Sequence, residues 1–371
     1  MYRFQIVITT ALLSLAPCIS QDQKTEQGFV PLFNGKNLNG WQRVNTAEST
    51  WTVREGQLIC SGKPIGELRT TRMYQNFILE VEWRHMKPRG NAGIFVWADD
   101  ITAKGVPFHR SIEVQVLENA YGNTRGYTTH GDIFPIHGAK MEPVNGRGGK
   151  RAFPTENRSN PSPQWNHYRI DCRDGKISLA VNGKVVTRGT QCNPRKGYIC
   201  IESEGGIVHY RNLNIKVLPD TPIPKESVAI SDRGFRSLYN GIQLDDWHVE
   251  GDWQPNDWQV AYRGKTAGSL TSKKEYGEAS FIVDFRSSAT LPLFEIRGLT
   301  INPAKFKANL LAKGKGWNRL QIHCDSSSIT VEANGQPAIE TVPVHAKPSP
   351  LKITATAQAD LANFYVRETK R

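Results

Sequence analysis

In the stretch Phe77-Ile78-Leu79-Glu80-Val81-Glu82-Trp83-Arg84, apolar and charged side chains alternate, so Phe77, Leu79, Val81 and Trp83 share one face while Glu80, Glu82 and Arg84 share the other. A period of two predicts a half-buried antiparallel strand. Ile177, Leu179 and Val181 alternate in the same way into Asn182-Gly183, the dipeptide favoured by a type I′ hairpin, after which Lys184-Val185-Val186 returns. No segment has a convincing helical period. The 32 Gly and 21 Pro are scattered without a short repeat and suit many short strands joined by turns. The pattern predicts an all-β chain.

The 371 residues exceed one ordinary sandwich, and the pattern itself is duplicated. Leu32-Phe33-Asn34-Gly35 with Trp41 recurs as Leu238-Tyr239-Asn240-Gly241 with Trp247, and Trp51-Thr52-Val53 as Trp258-Gln259-Val260. Leu68 to Arg84 matches Leu270 to Arg286, Trp165-Asn166 matches Trp317-Asn318, and Asn182-Gly183 matches Asn334-Gly335. Matches in this order imply two copies of one sandwich, over residues 28–218 and 229–370. Between them, residues 219–228 include Pro219, Pro222 and Pro224, whose fixed φ favours an extended linker.

The first 20 residues contain Arg3, an apolar run from Ile6 to Ala16, and small residues at Cys18 and Ser20. This reads as a signal peptide, and a secreted or periplasmic protein is expected. The run is shorter than the roughly 20 apolar residues of a membrane span, so no transmembrane segment is expected in the mature protein. Pro17 before Cys18 argues against lipoprotein anchoring. Five cysteines follow the leader, and the proximity of Cys172, Cys192 and Cys200 predicts one disulfide among them in an oxidising compartment. The net charge of +12 comes from Lys and Arg spread along the chain without a helix or an aromatic–basic motif, so nucleic acid is not an expected partner.

The copies differ most between Asn91 and Trp165, where the second has only a short stretch. The extra segment holds His109, Glu113, Glu118, His130, Asp132, His137 and Glu156. In Glu113-Val114-Gln115-Val116-Leu117-Glu118, Glu113 and Gln115 fall on one face, and Glu118 joins them only through a β-bulge. Glu113 and Glu118 are candidate acid–base residues, with Gln115 as a binding neighbour. His130, Asp132 and His137 are suitable ligands for one divalent metal ion, and His137 is also a candidate acid–base group. In Asn91-Ala92-Gly93-Ile94-Phe95-Val96-Trp97, strict alternation places Phe95 and Trp97 away from the core, where Trp97 is a candidate for stacking on a sugar ring, as is Tyr127 in the nearby Gly-rich loop. The second copy lacks the acidic strand and the histidine loop, and is expected to have no catalysis of its own and to serve as a packing or glycan-binding partner, its apolar run Leu291 to Ile296 shortened by Pro292 and suited to docking against the first copy.

These motifs, Leu32-Phe33-Asn34-Gly35 with Trp41, Asn91-Ala92-Gly93-Ile94, Glu113-Val114-Gln115, Trp165-Asn166, Asn182-Gly183 and Arg211-Asn212-Leu213, resemble the 3-keto-disaccharide hydrolase family, also described as 3-keto-glucoside 1,2-lyases with hydratase activity. The resemblance implies two tandem concanavalin-like jelly-roll sandwiches, the second degenerate, and a carbohydrate substrate. It also implies a chemistry in which the C3 ketone acidifies the C2 proton, a base removes that proton, the C1 substituent leaves, and water adds back. Two rivals stand beside it. E-x-Q-x-x-E echoes the E-x-D-x-x-E of laminarinase-like retaining glycosidases, although Gln115 replaces the middle acid. A non-catalytic carbohydrate-binding protein would use the loop only to shape a groove.

Overall fold

The alternation along Phe77–His85 becomes a central strand whose Phe77, Leu79, Val81 and Trp83 are buried in the first core. The computed structural model describes residues 27–121, 130–231, 233–344 and 347–369; the N-terminal segment expected to be a signal peptide and Tyr127 lie outside them. Each copy is a sandwich of two antiparallel sheets. In the first, Phe77–His85 lies within a nine-stranded sheet that faces a six-stranded one ordered Trp41–Val44, Gly66–Thr70, Tyr198–Ser203, Gly93–Ala98, Ser111–Gln115 and Ile133–Ile136. The second copy repeats this with eight and five strands around its own core. The chain is all-β, two tandem jelly-roll sandwiches.

The repeated residues make the same bonds in both copies. Trp41 Nε1–H donates to Leu32 O and Trp247 Nε1–H to Leu238 O, each at 3.1 Å. Asn182 Nδ2 donates to Asn166 Oδ1 at 3.1 Å, and Asn334 Nδ2 to Asn318 Oδ1 at 3.0 Å. The Trp-Asn pairs therefore belong to the framework. Asn212 and Asn363 take the same left-handed φ of 52° at matching register shifts, a conformation that Asn tolerates better than most residues.

Three expectations about the chain's organisation change in the structure. All five cysteines from Cys60 to Cys324 are buried and unpaired, because Cys172 and Cys192 pack as small apolar groups in the core and Cys200 lies on the opposite side of its sheet. The Pro-rich segment is no free spacer: Asn76 Nδ2 donates to Pro219 O at 2.9 Å, Gln75 Nε2 donates to Thr221 O at 2.9 Å, and Ala229 N–H donates to Lys196 O at 2.8 Å, laying it along the first copy. The strand Leu293–Ile296 is short, as Pro292 predicts, with four residues against six in Gly93–Ala98. Yet this strand is not the docking surface. The second copy meets the first through Ile282 and Tyr365 of its larger sheet, which pack on Ile101.

No helix among the described residues is long and apolar enough to cross a membrane.

Candidate active site

Five strands of the smaller sheet bring the site together from distant parts of the sequence. Glu67 on Gly66–Thr70 pairs in register with Glu202 on Tyr198–Ser203. Cys200, two residues before Glu202, faces Phe95 on Gly93–Ala98, and Phe95 faces Glu113 on Ser111–Gln115, which in turn faces Phe134. Side chains two residues apart share a face, so Glu67, Glu113, Glu202 and Phe134 project to one side of the sheet while Ile94, Ile112, Val114 and Ile133 enter the core.

Gly93 makes room for the acids. A Cβ on it would lie 3.0 Å from both Glu113 Oε1 and Glu202 Oε2, so these two oxygens lie within twice that distance of each other. Glu202 and Glu204 share a hydrogen bond, and Glu204 also accepts from Asn91 Nδ2, whose Oδ1 accepts from Gln115 Nε2 at 2.9 Å. Glu202 Oε2 is buried without a partner among the described residues. Burial raises the pKa of Glu113 to about 8, reinforced by the charges of Glu204, Glu67 and Asp132 and opposed by Arg151. Burial, then Glu204 and Glu113, holds Glu202 well above the carboxylate range. Closely set buried carboxyls cannot all ionise, so a proton stays among them near neutral pH.

Arg151 supplies the cation. Its Nη1 donates to Asp132 Oδ2 at 3.1 Å while its guanidinium lies 3.4 Å from the centre of the Phe134 ring. At the other end of the face, Glu67 takes two bonds from one residue: His109 N–H donates to Oε1 at 2.9 Å, and His109 Nδ1 lies 2.5 Å from Oε2.

The residues singled out from sequence meet different fates. Glu113 and Gln115 lie together as their spacing predicts. Glu118 does not join them, because the strand ends at Gln115 with no bulge to turn it. Its Oε2 instead accepts from Arg89 N–H at 2.8 Å and Ala120 N–H at 2.7 Å, and its Oε1 from Ser162 N–H at 3.1 Å. Burial alone would raise its pKa, but these three bonds outweigh it and the pKa is lowered. Glu118→Ala should therefore cost about 1–3 kcal/mol of stability by stranding these donors, measurable by urea unfolding, while the folded variant keeps the acid cluster.

Trp97 also departs from expectation. It adopts φ 57°, and the pairing of Tyr198 with Ala98 and Cys200 with Phe95 shifts register there. That bulge turns the indole into the core, where Nε1–H donates to Gln75 O at 2.9 Å. Phe95 remains on the site face, edge-on to Phe108 with ring centres 5.7 Å apart. Tyr127 lies outside the described residues.

The three expected metal ligands do not form a group. Asp132 is committed to Arg151, and His137 stands exposed at a turn with φ 50°. His130 Nδ1 lies 2.8 Å from Ser159 Oγ, and burial lowers its pKa to about 4. Although the His137 ring reaches solvent, partial desolvation by the chain around it lowers its pKa, with Glu67 opposing and His109 reinforcing. Among the described residues, three potential ligands do converge, Glu67, His109 and Cys200, with atoms within 4.8 Å. They fit a cation poorly. Glu67 and His109 already bond each other, and burial, with Glu67 adding to it, holds the Cys200 thiol well above its ordinary pKa.

Sequence reading missed Glu67, Glu202, Glu204 and Arg151. A signal for two of them existed in the duplication. At the positions of Glu67, Glu202 and Glu113 the second copy carries Ser269, Thr354 and Thr300, by the same pairings. All three acids of the face are absent there.

Fold and site together define a jelly-roll domain equipped for acid–base chemistry on one sheet face, followed by a copy stripped of it. The chain belongs to the 3-keto-alpha-glucoside-1,2-lyase-like domain family, which matches residues 28–216. Over 110 residues it is 33% identical to a 3-keto-disaccharide hydrolase of Bacteroides thetaiotaomicron, a stretch covering 25% of this chain and 38% of that protein, well under half its length. Among solved structures it is similar to a Parabacteroides distasonis protein provisionally described as a glycosyl hydrolase, at 21% identity and TM-score 0.41 over 52% of this chain and 94% of the other. It is also similar to a Bacillus licheniformis beta-glucanase, at 16% identity and TM-score 0.34 over 52% and 97%.

Proposed function

We propose that the protein is an exported enzyme whose first copy cleaves 3-keto-glycosides by elimination and hydration. The observation that carries this is the carboxyl cluster around Gly93, where Glu113 and Glu202 are close, buried and together retain a proton near neutral pH. Elimination across C1–C2 needs a base and an acid side by side, because the proton lost and the oxygen leaving are on adjacent carbons. In this reading a carboxylate of the cluster beside Glu113 takes the C2 proton as the C1–O bond breaks. Glu113, in its protonated form, gives its proton to the leaving oxygen. The product alcohol departs, leaving a 2-hydroxy-glycal ketone. Water then adds at C1 while the proton returns to C2, so the net change is hydrolysis. Arg151, held by Asp132, is the cation available for the negative charge that develops on the C3 oxygen.

A direct retaining glycosidase fits less well. It needs a permanently ionised nucleophile opposite its acid, and the second acid of the E-x-Q-x-x-E motif, Glu118, is consumed by three backbone bonds.

Incubation with a 3-keto-glycoside and with its unoxidised parent tests the proposal. Cleavage of the keto sugar alone is expected. Equal cleavage of both would favour the glycosidase, and binding without turnover would favour a carbohydrate-binding protein.

A further inference from the structure

The connection between Gly93–Ala98 and Ser111–Gln115 is a tight Arg297-Gly298 turn at the matching place in the second copy, but in the first it grows into a hairpin. Thr102 bridges His109, and Ala103 N–H donates to Phe108 O at 2.8 Å. The tip of this hairpin leaves its own sandwich and is seated on the second copy. Gly105 N–H donates at 2.8 Å to Oδ2 of Asp284, a fully buried carboxylate that also accepts from Arg319. Arg319 Nη2 donates to Thr102 O at 2.9 Å, and Asn363 Nδ2 donates to Ala103 O at 3.1 Å and to Val106 O at 3.0 Å. Gly105 sits so close to the Trp317 indole that a Cβ there would fall 2.2 Å from Cγ.

The base of the same hairpin is His109, the residue bonded twice by Glu67. Its Nε2 is buried and has no partner among the described residues. Nδ1 faces Glu67 Oε2 and the backbone N–H of the same residue faces Oε1, so the placement of the imidazole against Glu67 follows the hairpin that carries it.

We infer that the second copy is a working part of the active site: by gripping the hairpin tip it holds His109 and Glu67 in place on the face that carries Glu113 and Glu202. The residues of the grip, Asp284, Arg319, Trp317 and Asn363, therefore act as positioning residues, through the hairpin and not on the substrate. A domain that has lost its own acids still has a reason to remain in the chain. The inference rests on the proposed function only for its turnover readout.

The test uses the full chain with Gly105→Ala, which pushes the tip off Trp317, and the double variant Gly105→Ala/Trp317→Gly, which removes the obstructing side chain. Two quantities are read on protein shown to be folded by thermal melting: turnover of a 3-keto-glycoside, and the low-field Nδ1–H proton of His109, identified by its loss in His109→Gln. In Gly105→Ala the proton signal should shift or broaden and kcat should fall on the order of tenfold to a hundredfold with a smaller change in KM. The double variant should recover part of both. Asn363→Asp is the second variant, since Asp tolerates the same backbone and turns a donor into an acceptor facing two carbonyls and the Asp284 carboxylate. Its signal should move in the same way. A folded Gly105→Ala or Asn363→Asp with an unchanged His109 proton overturns the inference. If the wild type fails to turn over any 3-keto-glycoside, the functional reading falls and the His109 proton still decides the positioning role.

Discussion

Glu113→Gln should lower turnover of a 3-keto-glycoside by about 10²- to 10⁴-fold, the range that a positioned acid contributes, and should do so without unfolding the protein. Glutamine keeps the shape but cannot give up a proton to the leaving oxygen. The pH dependence provides a second check. Burial first, then the neighbouring acids, lifts the Glu113 pKa from 4.5 to about 8, so the folded protein holds a proton that the unfolded chain releases in the ordinary carboxylate range. Wild-type activity should therefore decline as pH rises through about 8, where the acid form is lost. Stability follows the same direction. A raised pKa contributes stability that is complete below the unfolded value and is lost as pH climbs through the folded one. Relative to wild type, Glu113→Gln should gain in melting temperature across that window, because its amide has no proton to lose. Full activity in the variant would remove Glu113 from the chemistry.

Trp97→Ala is expected to cost about 3–5 kcal/mol of folding stability, as truncation of a fully buried large aromatic does. The indole is 0% exposed, donates to Gln75 O at 2.9 Å and stands edge-on to Phe77 with ring centres 6.4 Å apart. Its removal leaves a cavity between the sheets and an unpaired carbonyl, and not a weakened sugar platform. Urea unfolding gives the stability change. Titration with the sugar, under conditions where the variant is folded, should show affinity close to wild type. A stable variant with impaired sugar binding would place Trp97 on the site face after all.

Trp97 also shows where a sequence stops being legible. Alternation read through Ile94 to Val96 is correct, and one bulge then moves the next residue to the opposite face. A bulge depends on the partner strand, here Tyr198–Ser203, more than a hundred residues away in the chain. The same limit hid most of the carboxyl cluster. Glu113 and Gln115 are neighbours on one strand, so their shared face follows from spacing alone. Glu67 and Glu202 meet only because their strands pair, and nothing local to either states that they will.

What the sequence by itself determined is whatever repeats within a strand or between the copies. The period of two marks the core faces, Asn182-Gly183 and Asn334-Gly335 mark hairpins, and the ordered matches establish two sandwiches, the second without the acids of the first. These are properties of short segments, governed by the pleat of the backbone and by turn chemistry. Tertiary structure alone decided which acids converge, that Glu118 is tied to backbone N–H groups, that the cysteines remain unpaired, and that the hairpin carrying His109 is seated on the second copy. Each of these depends on contacts between residues far apart in the chain, whose partners are selected only when the sheets pair and their faces are buried together.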